Sequence, residues 1–308
     1  SLLAQRIYGL CLGWSDVCDH NVLRRDLVMQ TAVGRAEPLA SAPTLSRVET
    51  AATPAHAAAL HEVLMQQFIA SHAKAPKELV LDVDATHVPL HGQQERGHFH
   101  AYYDNYCYLP LYVFAGQDML ACVLRPSDRD PASVVSALVK RLLVPLRRAW
   151  PKTKIIVRAD SGFCRPRVLQ RLERWRVSYI IGLQKNSRLN EQVALAEMAL
   201  ADQHTAKKTK QRMFGEFQYA ARTWDKERRV VARLEHGEQG ANPRFIVTDL
   251  PGSPKTLYER RYCARGEAEN RIKEAQLDLF GRRASCHRFQ ANQLRLLLAA
   301  LAYTLMIN

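Results

Sequence analysis

The stretch LVLDVDATHV, residues 79–88, decides the fold class. A short run of Leu and Val bounded by polar residues reads as a buried strand. It ends on two carboxylates, Asp82 and Asp84, which lie two positions apart and so project from one face of a sheet. Unpaired carboxylates on a buried face repel one another and lose hydration unless a cation or an arginine compensates. Something positive is therefore expected at the tip of this strand.

A second strand, KIIVRAD (154–160), also ends on an acid, Asp160. Ser161 and Gly162 permit a tight turn there, and a helix follows from Pro166 to Trp175, then the strand SYIIGL (178–183). Between the two acids, residues 98–108, 109–116 and 119–124 read as strands separated by Gly or Pro signals. A helix spans 131–150, with Pro131 favourable in its first turn and Pro145 expected to kink it. Antiparallel-type strands followed by helix, strand, helix, strand imply an α/β sheet with crossover units in its second half. In such sheets ligands gather at the carboxyl ends of strands, where both acids lie.

The flanks read differently. Residues 1–76 look helical: an Arg/Leu segment around Asn21 to Gln30, a linker EPLASAPTLSRVE in which Thr44 or Ser46 can cap a helix, and a helix from Pro54 closed by Ala75 and Pro76. After residue 184, the expectation is a short helix (NEQVALAEMALA), a Lys-rich loop (QHTAKKTKQR), and three strand-like runs, FGEFQYAARTW, RRVVARLEH and PRFIVTDL. Long helices then start near Leu257 and near Gln290.

The helix YERRYCARGEAENRIKEAQLDL supplies a third acid. Ala264, Ala268, Ile272, Ala275 and Leu279 form a core stripe, beside a polar stripe of Tyr262, Arg265, Glu269, Lys273 and Gln276. A salt-bridged surface helix would have the same spacing. Carboxylates without His or Cys among them suit a hard, oxygen-preferring cation such as Mg²⁺ or Mn²⁺, and two such ions can support phosphodiester cleavage. His87, His91, His98 and His100, with Cys107, are read as exposed or strand-packed residues rather than zinc ligands, because Pro89 prevents a regular helical pair.

Composition agrees with a polyanionic partner. The 308-residue chain has a formal net charge of +14, and nucleic acid leads the candidates. The excess lies downstream of residue 76, and Arg125 to Arg176 holds fourteen basic against four acidic side chains. Arg158, Arg165 and Arg167, beside Asp160, are the expected DNA contacts, although a solvated basic surface would look the same. No membrane span or secretory signal is apparent, so a cytoplasmic, nucleoid-associated protein is expected. The seven cysteines are scattered and read as reduced thiols. Because the chain opens on Ser1 and stops at Asn308 inside an apolar pattern, a longer product is expected.

The motifs LDVDATHVPLHGQQE, VRADSGF and Y-x-x-R-x-x-x-E (Tyr262, Arg265, Glu269) resemble those of bacterial DDE insertion-sequence transposases of the IS-thirteen-eighty group, within the Y-R-E-K signature set. The resemblance extends from QRIYGLCLGWSDVCDHNVLRRD to AYTLMIN. It implies a helical N-terminal DNA-binding region (1–77), an RNase H-like core (78–184 and 255–308) and a β-rich insertion (185–254). It also implies that Asp84, Asp160 and Glu269 are the catalytic, metal-binding acids, holding two Mg²⁺ or Mn²⁺ ions per active site. Asp82 either shares the first metal or stands behind it; Thr86 completes a D-x-T pattern that favours Asp84. Tyr262 and Arg265 would contact phosphate. Where the signature has Lys, this chain has Gln276, with Lys273 one turn earlier. Trp224 either packs inside the insertion or stacks on a flipped base. The implied activity is cut-and-paste transposition by a homodimer pairing two double-stranded DNA ends. A nuclease without strand transfer and a domesticated DNA-binding protein are the rivals.

Overall fold

Five helices precede the first strand: α1 (Leu2–Cys11), α2 (His20–Leu23), α3 (Leu27–Val33), α4 (Ala42–Thr50) and α5 (Pro54–Ala70). The computed structural model describes residues 2–130 and 132–307, so the expected role of Pro131 lies outside the described residues. Residues expected as one helical segment around Asn21 to Gln30 divide at Asp26, whose carboxylate accepts a hydrogen bond from the Met29 amide at 2.8 Å and starts α3. The expected linker carries α4. Thr53 caps α5, with Pro54 at its first position.

Next come β1 (Glu78–Ala85), β2 (Val88–Pro89), β3 (His98–His100), β4 (Asn105–Tyr108), β5 (Leu111–Ala115) and β6 (Asp118–Val123). The expected single strand over 98–108 is a hairpin, because the chain turns at residues 101–104 with Asp104 in the left-handed region (φ 51°). β2, β4 and β3 form a small sheet of their own. α6 (Ala132–Ala149) runs through Pro145, followed by β7 (Lys154–Ala159), a 3₁₀ turn (Ser161–Phe163), α7 (Pro166–Arg174) and β8 (Ser178–Leu183).

α8 (Ser187–Lys207) is longer than expected and absorbs the first half of the Lys-rich loop, ending where Lys208 turns left-handed. β9 (Gln211–Tyr219), β10 (Arg228–Gly237), β11 (Gly240–Ala241) and β12 (Arg244–Thr248) follow. Because β9 stops at Tyr219, Trp224 lies in the connecting loop rather than at the end of a strand. The remainder is α9 (Pro254–Thr256), a π-helical turn (Leu257–Tyr262), a 3₁₀ turn (Cys263–Arg265), α10 (Gly266–Leu277) and α11 (Phe289–Ile307).

The large sheet has the order β11-β10-β12-β8-β7-β1-β5-β6, with β9 on β10. β5 runs antiparallel to both β6 and β1, and β1, β7 and β8 run parallel. β12 pairs with β8, so the strands after residue 185 continue the same sheet. β1 is thus central and carries side chains into two cores. One face sends Leu81, Val83 and Val113 against α5, α6 and α7 through Phe68, Val139 and Leu169. The other sends Tyr112 and Phe114 against α10 and α11 through Ile272, Leu297 and Tyr303. Asp82 is registered with Phe114 and Asp84 with Tyr112, which puts both acids on the α10/α11 face.

Polar contacts fasten the N-terminal region together and to α11 and the loop before it. Buried Arg6 pairs with Glu49 at 2.9 Å, Arg295 reaches Glu49 at 3.7 Å, and Arg283 pairs with Asp16 at 2.7 Å. All seven cysteines are free thiols. Among the described residues no helix is long and apolar enough to cross a membrane.

Candidate active site

The positive partner that β1 requires is Arg158. Parallel register sets Asp82 beside Arg158 on β7. The guanidinium grips both carboxylate oxygens, with Nη2 donating to Oδ2 at 2.7 Å, and its Nη1 donates to the Arg261 carbonyl at 2.6 Å. Burial raises the Asp82 pKa and Arg158 pulls it back. This fork fixes one acid and one arginine on adjacent strands. Arg158 is therefore engaged within the protein rather than free to meet a phosphate.

Two residues further along, just past the last registered pair Val83–Ala159, Asp84 at the end of β1 and Asp160 just beyond β7 come close enough for their charges to interact. Asp160 caps the 3₁₀ turn, accepting from the Gly162 amide at 2.8 Å. Glu269, on the first turn of α10, approaches from the other side. Arg265 joins the group: it donates to Asp84 Oδ2 at 3.0 Å and pairs with Glu269 Oε1 at 2.6 Å. The Asp84 carboxyl is pushed up to about 6, chiefly by burial; Arg265 pulls it down, while the neighbouring charges of Asp160 and Glu269 push it up. The sequence motif thus brings three acids from distant segments around one guanidinium.

Backbone irregularity positions this guanidinium. The expected uninterrupted helix from Tyr258 is divided into π, 3₁₀ and α turns, and the change at residues 262–266 sets Tyr262 and Arg265 against the strand tips. Tyr262 is pushed up to about 12 by burial, opposed by Arg265. A Cβ on Gly182 of β8 would lie 2.6 Å from the Tyr262 hydroxyl and 2.8 Å from the Ser161 amide nitrogen. Gly182 is thus the floor that lets the Asp160 turn and Tyr262 come close. A glycine inside SYIIGL carries that signal in sequence, and was not read as part of the site.

The lower part of the polar stripe separates. Lys273 is exposed, whereas Gln276 is buried and faces the Tyr112 hydroxyl in the core. Arg165 is half-exposed and pairs with Asp130 at 2.9 Å, and Arg167 is exposed nearby on α7. Trp224 packs edge-on to Tyr219 (5.7 Å), and the Arg228 guanidinium lies 5.4 Å from its ring centre. The structure gathers Asp84, Asp160, Glu269, Tyr262 and Arg265; Arg165 and Arg167 lie at the periphery, and Trp224 is packed elsewhere. Tyr103, which feels the charges of Asp84 and Asp160 and stacks on His87 at 4.3 Å, is a further neighbour that sequence reasoning missed.

The donor set fits a hard divalent cation, since its members are carboxylates and a cationic side chain already sits between two of them. Among the described residues, the one trio of acidic or thiol ligand atoms mutually within 4.8 Å is Asp16, Cys18 and Asp19, near the N-terminus. The core acids stand wider apart, with Arg265 between Asp84 and Glu269.

The family described as transposase DDE domain group 1 matches residues 1–308. No curated protein matches the chain. Among solved structures, the chain is similar to a piggyBac transposase in a synaptic complex with hairpin DNA, at 10% identity and a TM-score of 0.50. That similarity covers 99% of this chain and 64% of the other.

Proposed function

The chain belongs to the DDE transposase family, and from that premise we propose that it is an insertion-sequence transposase of the IS-thirteen-eighty group, acting on the terminal inverted repeats of its own element by DNA cleavage and strand transfer. The observation that carries this reading is the meeting of Asp84, Asp160 and Glu269 around Arg265 at the carboxyl ends of β1 and β7. The strand order β6-β5-β1-β7-β8, three antiparallel then two parallel, supports an RNase H-like core. On this reading residues 78–184 and 255–308 are the core, 185–254 the insertion and 1–77 the helical DNA-binding region.

Asp84, Asp160 and Glu269 would hold Mg²⁺ or Mn²⁺, two per site. The bound ions would supply Lewis acidity toward the scissile phosphate and lower the pKa of the attacking hydroxyl. The chain's own groups orient the substrate. Arg265, which lies between Asp84 and Glu269, would be placed to pair with a phosphate oxygen of the substrate. Tyr262 presents its hydroxyl beside it, protonated throughout the neutral range because burial lifts its pKa to about 12. Asp82 serves as the anchor for Arg158 and stays behind the metal ligands. Arg165 and Arg167 track the DNA backbone, and Lys273, exposed on α10, extends that surface in place of the signature lysine. A homodimer holds the two ends, since joining needs both.

The test is cleavage of a labelled DNA end from the element in Mg²⁺ or Mn²⁺. The native chain nicks the end and joins the freed 3′-hydroxyl to a target duplex, and Asp160→Asn does neither. Equal cleavage by both would remove the mechanism, and hydrolysis without joining would make the chain a nuclease.

A further inference from the structure

α8 and β10 carry ligand-type side chains that the reaction just described does not use. On β10, Val230, Ala232 and Leu234 face α8 and join Val193 and Leu200 in one core. His236, two residues further, continues that face of the strand. Glu235 turns to the opposite face, where Lys210, Arg212 and Arg233 neutralise it. On α8, Glu197 stands three residues before Leu200 and His204 four after it, so all three share one side of the helix. An acid and an imidazole from the helix therefore meet an imidazole from the strand. His204 Nδ1 donates to the Thr209 carbonyl at 2.9 Å, which fixes the tautomer and leaves the Nε2 lone pair unused. His236 Nδ1 and Glu197 Oε1 are both sealed from solvent and have no hydrogen-bond partner. Sealed polar atoms without a partner are rare in native proteins, and one cation would satisfy both.

Spacing and donor type select the cation. The His204 and His236 rings lie 5.4 Å apart at their centres, with planes inclined by 44°. Two imidazoles on one tetrahedral Zn²⁺, with Zn–N bonds of about 2.0–2.1 Å, have their centres about 5 Å apart. The carboxylate is within electrostatic reach of the same pair: burial raises the Glu197 pKa, and His236 and then Lys185 pull it back. Two imidazoles and one carboxylate form a borderline-soft set that suits Zn²⁺, in contrast to the all-oxygen acids at the strand tips. We propose that Glu197, His204 and His236 form a Zn²⁺ site that ties α8 to β10, with water as the fourth ligand. The three ligand atoms do not all lie within 4.8 Å of one another, so binding draws the Glu197 and His204 side chains inward. Both residues are only partly buried, which leaves their side chains room to turn. The site is independent of the transposase reading.

The experiment titrates the whole chain, stripped with EDTA and returned to millimolar Mg²⁺, with Co²⁺ as the spectroscopic stand-in for Zn²⁺. The native chain takes up one Co²⁺ with the intense visible bands of tetrahedral nitrogen and oxygen ligation, shows no thiolate-to-metal band, and gives the ion up to Zn²⁺. Zn²⁺ at about a hundredfold excess over its Kd raises the Tm by about 4 °C. His236→Gln and His204→Gln each weaken Co²⁺ binding by about tenfold or more and remove the Tm rise, since even outer-shell changes cost that much at metal sites. His204 lies near the end of α8 outside the apolar core, so its variant folds even where His236→Gln does not. Asp160→Asn keeps the tetrahedral bands. Bands lost in Asp160→Asn, or kept in both histidine variants, overturn the site. So does a thiolate band, which would move the ion to Asp16, Cys18 and Asp19. Weak octahedral bands alone, or no uptake beyond Mg²⁺ competition, overturn it as well.

Discussion

Replacing Asp84 by Asn should make the metal-free protein more stable while abolishing cleavage. Asp84 is buried and its carboxyl is pushed up to about 6 from 3.8. The folded state therefore holds a proton that the unfolded chain has already released between these two values. Stability falls as the pH rises through that window and stays reduced above it. Two pKa units and a fraction correspond to about 3 kcal/mol at neutral pH. Because the Asp84 side chain is 12% exposed, screening reduces the recoverable part to about 2 kcal/mol. Asn has the shape of the neutral carboxyl and cannot ionise, so it recovers that difference at pH 8 and none of it below 3.8. For a chain of 308 residues this amounts to about 3 °C in Tm. Thermal unfolding in EDTA at pH 4 and pH 8 reads the effect directly. A variant no more stable than the native chain at pH 8, or one stabilised equally at both pH values, would refute the reasoning.

Four other outcomes follow from the same geometry. Asp82→Ala leaves Arg158 buried without its partner and should cost about 3 kcal/mol in urea unfolding; the double variant with Arg158→Ala should cost less than the two single changes together. Gly182→Ala forces a Cβ against the Tyr262 hydroxyl and the Ser161 amide, so it should lower stability by about 1–3 kcal/mol and displace the Asp160 turn, seen as lost cleavage even by the folded fraction. Arg265→Met removes the cation that competes for Asp84 and Glu269, so Mn²⁺ measured by electron paramagnetic resonance should bind about tenfold more tightly in the absence of DNA, while DNA cleavage falls. His20, pushed down to about 4 chiefly by burial with Arg6 adding to it, is neutral in the folded protein; its share of stability is present above 6.5 and lost as the pH falls towards 4, and His20→Gln should flatten that part of the acid-unfolding curve.

The sequence carried the strand tips because their chemistry is local. A Leu/Val run that stops on Asp can be read without knowing what lies beside it, and the strands at 79–84, 154–160 and 178–183 appear as β1, β7 and β8. The hairpin over 98–108 was not legible, since its turn depends on Asp104 adopting a left-handed backbone that no Gly announces. Nor was the division of the helix at 257–277, where the polar stripe keeps a helical spacing through π and 3₁₀ turns. Tertiary burial, absent from a linear pattern, decided Gln276: its i+7 spacing from Glu269 suggests a shared face, yet it enters the core toward Tyr112. Asp82 was ambiguous for the same reason, because the register that sets it against Arg158 is a property of two strands and not of either one.

The two arginine–carboxylate groups also differ in what they can exchange. Arg158 makes a forked contact with Asp82, donates a further hydrogen bond to a backbone carbonyl, and is 12% exposed, so releasing it would strand a buried acid and a buried cation together. Arg265 divides its contacts between two acids, and one of these, Glu269, is 44% exposed. Separating Arg265 from Glu269 leaves a carboxylate that water can reach, which costs about 1 kcal/mol or less. On the proposed function, a divalent cation at the strand tips would compete with Arg265 and not with Arg158. The two acids of LVLDVD thus differ in their partners: Asp82 is locked to Arg158 and holds the sheet tip in shape, and Asp84, on the proposed function, would exchange Arg265 for a metal ion.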